Sequence, residues 1–114
     1  MAQDVHCIIG ASGQLGTELA VALHNAGERV VLFDIKAPSF PALLGLPFER
    51  VDVRDQAALS AAFGTHQVTH VYHLAAALSA RGEQEPQWAW DLNMKGLLHV
   101  LDLAAEMAGI RQVF

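Results

Sequence analysis

Hydrophobic runs and helical patterns alternate along the first third of the chain. Residues 5–9 form a β-branched run without polar alternation, which predicts a buried strand. Leucines and alanines at spacings of three and four then predict a helix that ends at Asn25-Ala26-Gly27. A second buried strand over residues 29–33, ending at Asp34, completes a β-α-β unit with parallel strands.

The alternation continues through the middle of the chain. Residues 36–47 hold three prolines and no helical period, so they predict a loop or a broken turn. Strands are predicted over residues 48–53 and 68–74, with a helix over residues 56–63 that Asp55 caps. Repeated units of this kind predict a doubly wound, parallel α/β sheet with strand order 3-2-1-4-5.

The longest predicted helix covers residues 86–108 and is closed by Gly109, and a fifth strand is predicted to begin within residues 110–114. The hydrophobic residues of this helix occupy two faces, whereas one face is enough to cover a sheet. The broader face carries Met94, Leu97, Leu98, Leu101, Ala104, Ala105 and Ala108, and the narrower one carries Val100, Leu103 and Met107. The additional face predicts a homodimer formed through this helix, and further chain packed on it would give the same pattern.

Composition bounds the class of protein. The chain has 114 residues, 53% hydrophobic and 17% charged, without a linker or repeat, which predicts one folded domain over residues 1–114. The net charge of −5 and the scattered cations argue against nucleic acid as a partner. A single cysteine, Cys7, excludes an internal disulfide and favours a cytoplasmic protein. No apolar run approaches the roughly 20 residues that cross a bilayer, so no membrane attachment is expected.

Three glycines separate the first strand from the first helix. Gly10, Gly13 and Gly16 stand at intervals of three, with Gln14 and Leu15 between the last two. Such a loop turns tightly, lets a pyrophosphate approach the backbone and lets the helix pack close to the strand. The N–H groups and the positive dipole end of the helix then favour phosphate. The strand–loop–helix context predicts a Rossmann-type dinucleotide site.

Asp34 is the candidate partner of the adenosine ribose. It lies 18 residues after Gly16, at the end of the second strand, where a carboxylate can accept both ribose hydroxyls. Its charge would repel a 2′-phosphate, so NAD is expected rather than NADP, although Lys36 is nearby. The alternative is a carboxylate that only caps a solvated loop. Asp52 can similarly accept from the adenine amino group while Val53 packs on the ring, or it is an ordinary turn aspartate.

These motifs, in this order, resemble the extended short-chain dehydrogenase/reductase superfamily of nucleotide-sugar epimerases and dehydratases. The resemblance covers nearly the whole chain and rests on the glycine loop, Asp34, Asp52-Val53, His73-Leu74-Ala75-Ala76 and Asn93-Met94-Lys95-Gly96. Within the superfamily, the segments at 9–19, 33–36 and 77–83 are most similar to NAD-dependent L-threonine 3-dehydrogenases. Ile9, where the wider superfamily usually has threonine, favours that branch.

The resemblance implies a role for each matching residue. Those expected along the pyrophosphate are Gly10, Gly13, Gln14 and Leu15, those at the ribose are Asp34 and Ile35, and those at the adenine are Asp52 and Val53. Beside the nicotinamide half it places Leu74, Ala75 and Ala76. Asn93 matches a helix asparagine that supports the active site, unless it is simply a solvated polar residue, and Ser79 belongs to a loop near the substrate.

The resemblance also implies which residues are missing. Members of the superfamily use a Ser or Thr, a Tyr and a Lys four residues after the Tyr, and this set follows the fifth strand, so it is expected beyond Phe114. Here the single tyrosine, Tyr72, has Ala76 four residues on, so it has no claim to the catalytic role. Positioned proton transfer supplies about 10² to 10⁴-fold in rate. The chain is therefore expected to be an incomplete NAD-binding domain that does not turn over substrate.

Two further side-chain types are considered and set aside. His66, His70 and His73 invite a zinc hypothesis, but His70 and His73 are three apart on a strand and should point to opposite faces. No metal site is predicted. Cys7 within the first strand is expected to be a small buried hydrophobe rather than a nucleophile.

Three functions remain open from the sequence. The first is the cofactor-binding part of an L-threonine 3-dehydrogenase, whose whole protein oxidises L-threonine with NAD to 2-amino-3-oxobutanoate and NADH. The second is the same part of a nucleotide-sugar epimerase or dehydratase. The third is a non-enzymatic NAD-binding or assembly module that pairs through its long helix.

Overall fold

A five-stranded parallel sheet forms the centre of the protein, which the computed structural model describes over residues 3–75 and 83–114. Its strands are β1 (Val5–Ile9), β2 (Arg29–Asp34), β3 (Phe48–Arg50), β4 (His70–His73) and β5 (Gln112–Val113). The spatial order β3-β2-β1-β4-β5 confirms the predicted doubly wound fold. Because the order reverses beside β1, the carboxyl ends of β1, β2 and β4 frame the crevice where such sheets bind ligands.

Helices cover both faces of this sheet. They are α1 (Gln14–Asn25), α2 (Gln56–His66), α3 (Pro86–Trp90) and α4 (Gly96–Glu106), with a 3-10 turn at Pro41–Leu43 and a π-helical stretch at Asp91–Lys95 between α3 and α4. No helix of the described residues is long and apolar enough to cross a membrane.

The predicted end of α1 and the predicted start of α2 are confirmed. Gly27 takes a left-handed φ of +83°, and the Glu28 N–H bonds the Leu23 carbonyl at 3.1 Å, which is the Schellman pattern of a glycine C-terminus. The Asp55 carboxylate accepts from the Ala58 N–H at 3.1 Å and caps α2. These boundaries are local in origin, which explains why the sequence alone located them.

Several predicted boundaries are wrong by a few residues. β3 ends at Arg50 rather than at residue 53, because its partner β2 ends at Asp34. α2 continues to His66, three residues beyond the prediction, and ends where Gln67 becomes left-handed. β4 is shorter than 68–74: the Val68 N–H belongs to the end of α2, bonding the Phe63 carbonyl, and β1 has no residue beyond Ile9 to pair.

The predicted continuous helix 86–108 is also corrected. It contains the π-helical stretch Asp91–Lys95, and α4 ends at Glu106 because Met107 takes an extended conformation with φ −94° and ψ 107°. Gly109 therefore does not close the helix. Of the two apolar faces, the narrower one packs on the sheet: Val100 and Leu103 are buried, and Met107 packs against them.

The fifth strand is shorter than the predicted segment 110–114. The Ile110 N–H donates to the Met107 carbonyl at 3.0 Å, so this residue belongs to the turn after α4, and β5 covers only Gln112–Val113. Phe114 follows the strand, and its N–H still donates to the Val71 carbonyl at 2.7 Å. The backbone of Phe114 therefore continues the pairing with β4 for one residue beyond the end of β5.

The sheet has a separate core on each side, as the alternation of β1 requires. Val5, Cys7 and Ile9 face the core that α2 and α4 cover, whereas Ile8 faces the core beneath α1. Cys7 is fully buried, and burial raises the pKa of its thiol well above the ordinary value. This agrees with the predicted role of a core hydrophobe.

Candidate functional site

A cleft of about 330 Å³ opens at the carboxyl ends of the strands. Most of the residues predicted to bind a dinucleotide meet there, drawn from the glycine loop and from the ends of β2, β3 and β4. Its lining consists of Ile9, Gly10, Gly13, Asp34, Ile35, Val51, Asp52, Val53, Arg54, Leu74, Ala75, Trp88 and Leu92. Residues more than 70 positions apart in sequence thus form one continuous site at the predicted edge of the sheet.

Gly10 makes the turn out of β1. Its φ is +87°, and a Cβ built there would lie 2.8 Å from the Ala75 backbone nitrogen and 2.9 Å from the Leu74 carbonyl carbon. Its N–H donates to the Phe33 carbonyl at 2.9 Å. A glycine is thus required for two reasons: the positive φ, and the close approach of the backbone that follows β4.

Gly16 and Gly13 serve different purposes. A Cβ on the buried Gly16 would lie 2.3 Å from the Gly10 carbonyl oxygen, so this glycine allows α1 to pack directly on the loop. A Cβ on Gly13 would meet the protein only at 3.4 Å, again at the Gly10 oxygen, and Gly13 lines the cleft. Protein packing therefore does not require a glycine at position 13, and the space beside it opens into the cleft.

The first turn of α1 is open to an anion. Its N-cap residue is Gly13, which supplies no side chain to accept from the N–H groups of Leu15 and Gly16. Free N–H groups at the positive end of a helix dipole suit a pyrophosphate. Gln14 lines a second, adjoining depression with Gly13, and the Leu15 side chain is exposed outside the main cleft.

Asp34 joins the glycine loop to the end of β2. Its two carboxylate oxygens accept from the Ser12 N–H at 3.0 Å and from the Lys36 N–H at 3.1 Å. The Ser12 hydroxyl in turn donates to the Lys36 carbonyl at 2.6 Å. Because an ionised carboxylate has about four acceptor positions, these two bonds leave lone pairs for hydroxyl groups in the cleft. The Asp34 carboxylate is thus oriented by the same loop that would hold the phosphates.

Asp52 is paired with Arg54 rather than isolated. The Arg54 guanidinium reaches both carboxylate oxygens, at 3.0 Å from Nε to Oδ1 and 2.6 Å from the terminal nitrogen to Oδ2. The hydrogen bonds from Arg54 lower the pKa of Asp52. Asp52 is therefore an ionised carboxylate that Arg54 holds at the rim of the cleft.

Arg54, Trp88 and Leu92 were not predicted to belong to this site. Arg54 follows Asp52-Val53 directly, and the two hydrophobic residues reach the cleft from α3 and the π-helical stretch. Trp88 and Leu92 are four residues apart, which places them on one face of a helix. That spacing is visible in the sequence, but the sequence does not indicate that this face turns towards the glycine loop.

Six predicted site residues are not placed in the lining of the cleft, namely Gln14, Leu15 and Gly16 of the loop and helix start, together with Ala76, Ser79 and Asn93. Asn93 is exposed, lies in the π-helical stretch and is absent from the lining of the cleft. Ala76 and Ser79 lie outside the described residues.

Phe114, beyond which the catalytic Ser or Thr, Tyr and Lys are expected, is not a residue of the cleft either. It is absent from the lining, and its ring stacks on that of Tyr72 with the centroids 4.8 Å apart and the planes inclined by 10°. The aromatic ring is otherwise exposed. Phe114 therefore serves as a packing partner of β4, and the position of the catalytic set stays a prediction.

The histidines do not form the three-residue cluster considered from the sequence. His66, at the end of α2, bonds the Glu49 side chain at 3.0 Å. His73 is half-buried, and burial lowers the pKa of its ring. Within the described part of the chain, potential ligand atoms of Asp4, His6 and His70 lie within 4.8 Å of one another.

All three residues already have protein partners, and His70 Nδ1 lies 2.8 Å from the Thr69 hydroxyl. The His6 ring bonds the Tyr72 hydroxyl at 3.0 Å through Nδ1 and Glu28 at 3.2 Å through Nε2, and Arg111 pairs with Asp4. Burial, followed by the charge of Glu28, raises the pKa of Tyr72. A phenolate that accepts a proton near neutral pH needs the opposite shift.

Comparison with known proteins identifies the family. A profile of the NAD dependent epimerase/dehydratase family matches residues 6–114. The chain belongs to this family. The cofactor of the family is NAD, and the open α1 terminus and the space beside Gly13 suit a dinucleotide.

The relatives that this chain matches are much longer. An uncharacterised epimerase/dehydratase of Staphylococcus saprophyticus is 41% identical over 102 residues, which are 87% of this chain and 32% of that protein. The chain thus spans about a third of the length of the curated relatives that it matches.

Two solved structures show the same fold. A GalE-like L-threonine dehydrogenase from Cupriavidus necator, in its holo form, is 43% identical with a TM-score of 0.87, and the match covers 96% of this chain and 36% of that one. The UDP-glucose 4-epimerase of Thermus thermophilus in complex with NAD is 28% identical, with a TM-score of 0.84 over 96% and 36% of the two chains.

The glycines of this epimerase/dehydratase family member should separate folding from binding. Gly16→Ala places a Cβ 2.3 Å from a backbone oxygen and should destabilise the protein by about 2 kcal/mol or more. Gly13→Ala, with its closest contact at 3.4 Å, should keep nearly the wild-type free energy of unfolding yet weaken NAD binding about tenfold. Urea unfolding and calorimetric titration measure the two effects. Equal loss of stability in both variants would contradict this division of roles.

Proposed function

We propose that this chain is the NAD-binding portion of an L-threonine 3-dehydrogenase, with residues 1–114 forming an incomplete Rossmann domain. In the whole protein, L-threonine and NAD would give 2-amino-3-oxobutanoate and NADH. The observation that carries the choice of substrate is the identity of 43% to the Cupriavidus necator threonine dehydrogenase, against 28% to the Thermus thermophilus epimerase. A cytoplasmic location fits the single, buried cysteine.

The proposed position of NAD follows the cleft from one end to the other. The pyrophosphate lies on the glycine loop and the first turn of α1, with Gly10, Gly13, Gln14 and Leu15 along it and Gly16 beneath the loop. The ribose hydroxyls of adenosine donate to Asp34 beside Ile35. The adenine packs on Val53 with its amino group donating to Asp52. The nicotinamide half extends past Leu74 and Ala75, which follow β4, and Ala76, the next residue in the sequence, is proposed to contact it as well.

Charge in the cleft supports NAD rather than its 2′-phosphorylated form. Asp34 presents a carboxylate where the additional phosphate would lie. The nearest arginines are engaged elsewhere: Arg50 donates to the Ile35 carbonyl and lies over the Phe48 ring, and Arg54 is paired with Asp52. Among these nearby cations, only the side chain of Lys36 has no hydrogen bond or ion pair in the described part of the chain. The backbone N–H of Lys36 donates to Asp34.

Bound NAD supplies a hydride acceptor, and the residues of this chain orient it. The backbone of Leu74 and Ala75 closes against Gly10, which leaves no room for a side chain between the glycine loop and the proposed nicotinamide position. Proton transfer to and from the substrate hydroxyl requires a Tyr and a Lys that are expected beyond Phe114, and Asn93 and Ser79 are proposed only as a supporting and a substrate-loop residue. We therefore expect binding of NAD without turnover.

A nucleotide-sugar epimerase or dehydratase is the second candidate. The family description and a TM-score of 0.84 to a UDP-glucose 4-epimerase favour it. The proposed NAD site is common to both candidates, so the choice between them concerns the substrate alone.

The role of Asp34 can be tested on the chain itself. Asp34→Ala should weaken NAD binding by about tenfold or more, because two hydroxyl contacts to a charged acceptor are lost. Asp34→Asn should bind NAD with an affinity between those of wild type and Asp34→Ala, since one oxygen acceptor remains. Calorimetric titration with NAD gives the dissociation constants, and Glu106→Ala on α4 is the control for the loss of an exposed carboxylate. Equal NAD affinity in Asp34→Ala would remove this residue from the site.

The substrate class can be tested by exchange of domains. Residues 1–114 would replace the corresponding third of the Cupriavidus necator threonine dehydrogenase and of the Thermus thermophilus epimerase. We expect the first chimera to reduce NAD with L-threonine and the second to lose most of its epimerase activity, since the contacts to the remaining two thirds differ. The reverse result would favour the epimerase candidate.

We also propose that the whole protein is a homodimer formed through the long helix. Exposed hydrophobic residues follow one side of it at helical spacing, namely Trp90, Met94, Leu98 and Leu101. Such a stripe is typical of a surface that a partner covers.

A charge on this stripe should prevent association. Leu98→Glu should convert a dimer to a monomer in analytical ultracentrifugation, while Leu44→Glu, a leucine exposed on a different surface, should leave the mass unchanged. Since both side chains are exposed, neither change should alter folding. A monomeric wild-type chain would contradict the dimer and would favour the alternative that further residues of the protein pack on this stripe.

A further inference from the structure

We propose that His99 and Gly96, both on α4, are positioning residues that fix Val53 and thereby set the preference of the cleft for adenine. The proposal rests on the adenine position argued above. Neither residue belongs to the lining of the cleft, and both contact the one lining residue on which the base is proposed to pack.

The segment from Val51 to Asp55 has neither strand nor helix to hold it. Its own hydrogen bonds are short-range: the Arg54 N–H donates to Asp52 Oδ1 at 2.9 Å and the Asp55 N–H to the Asp52 carbonyl at 2.9 Å. The Val51 N–H reaches back to the Asp34 carbonyl at 3.1 Å. These bonds shape the turn, but they do not fix the distance of Val53 from the helices beside it.

His99 supplies that restraint. Its ring nitrogen Nδ1 lies 2.7 Å from the Val53 carbonyl oxygen, 46 residues away in sequence. A carbonyl oxygen only accepts, so Nδ1 carries the proton and donates. His99 itself is half-buried. This bond ties the peptide between Val53 and Arg54 to the helix.

Gly96 sets how closely the same helix approaches. A Cβ at this position would lie 2.6 Å from Val53 Cγ2 and 3.3 Å from Val53 Cβ. The backbone of α4 therefore rests directly on the valine side chain. With His99 one helical turn further on, the hydrogen bond and the close contact act on one residue from one element.

Val53 transmits this position to the cleft. The residue is buried, with 3% exposed, and it still forms part of the cleft lining. Asp52 precedes it and carries the carboxylate proposed to accept from the adenine amino group. A shift of Val53 would move the packing surface and the acceptor together, and the discrimination between adenine and other bases would fall.

The test compares NAD with its hypoxanthine analogue, in which a carbonyl replaces the amino group. Titration calorimetry gives both dissociation constants for wild type, His99→Leu and His99→Asn, the last of which keeps a donor at the position of Nδ1. We expect wild type to prefer NAD by about tenfold, as one charge-assisted hydrogen bond would give. His99→Leu should lower this preference to about threefold or less, and His99→Asn should restore it.

Gly96→Ala provides a second variant with a matched control. The new Cβ should push Val53 towards the cleft and lower the preference for NAD, whereas Gly64→Ala in α2, with nothing within 4 Å of its new Cβ, should not. The melting temperature of each variant is measured by circular dichroism. A merely structural role for His99 or Gly96 would lower the melting temperature and leave the ratio of the two dissociation constants unchanged.

One measurement without ligand separates this inference from the proposed function. The amide proton of Arg54 belongs to the peptide whose carbonyl accepts from His99, so its chemical shift should change in His99→Leu and much less in His99→Asn. If the ratio of the two dissociation constants is unchanged in His99→Leu and Gly96→Ala, this inference is overturned and the proposed function is not. Absence of NAD binding in wild type, with the Arg54 shift as expected, overturns the proposed function and leaves only the tether between α4 and Val53.

Discussion

The close approach of the glycine loop to the end of β4 is the constraint on which the rest of the structure depends. Gly10 lies within contact of the Leu74-Ala75 backbone, and Gly16 brings α1 against the Gly10 carbonyl. Strand, loop and helix therefore meet at one point without intervening side chains. Because β1 is central in the sheet, this point determines where the crevice opens and which strand ends can reach it.

Hydrogen bonds to a few carboxylates then connect the separate parts of the site. Asp34 joins the loop to β2, Asp52 holds Arg54, and Asp55 starts α2 immediately behind the same turn. Each carboxylate is hydrogen-bonded by backbone N–H groups or by a guanidinium, so it is oriented before a ligand arrives. Preorganisation of this kind lowers the entropic cost of binding.

The two sides of α4 have different surroundings. Val100 and Leu103 cover the sheet, and Gly96 and His99 contact the turn that contains Val53. The opposite side exposes Leu98 and Leu101. One helix therefore contacts the turn that contains Val53 on one side and exposes the proposed dimer stripe on the other.

The amino-acid sequence by itself determined the order of elements, the strand order and most of the cleft. These features follow from local signals: the period of hydrophobic residues, the spacing of the glycines, the cap at Asp55 and the glycine that ends α1, Gly27. Each signal acts through the conformation of neighbouring residues. Only the tertiary structure decided the ends of β3 and β4, which depend on the length of their partner strands, and the break in the helix at Asp91–Lys95. It also decided that Trp88, Leu92 and Arg54 line the cleft and that His99 reaches Val53. Those contacts join positions far apart in the chain, and no local pattern fixes the distance between them.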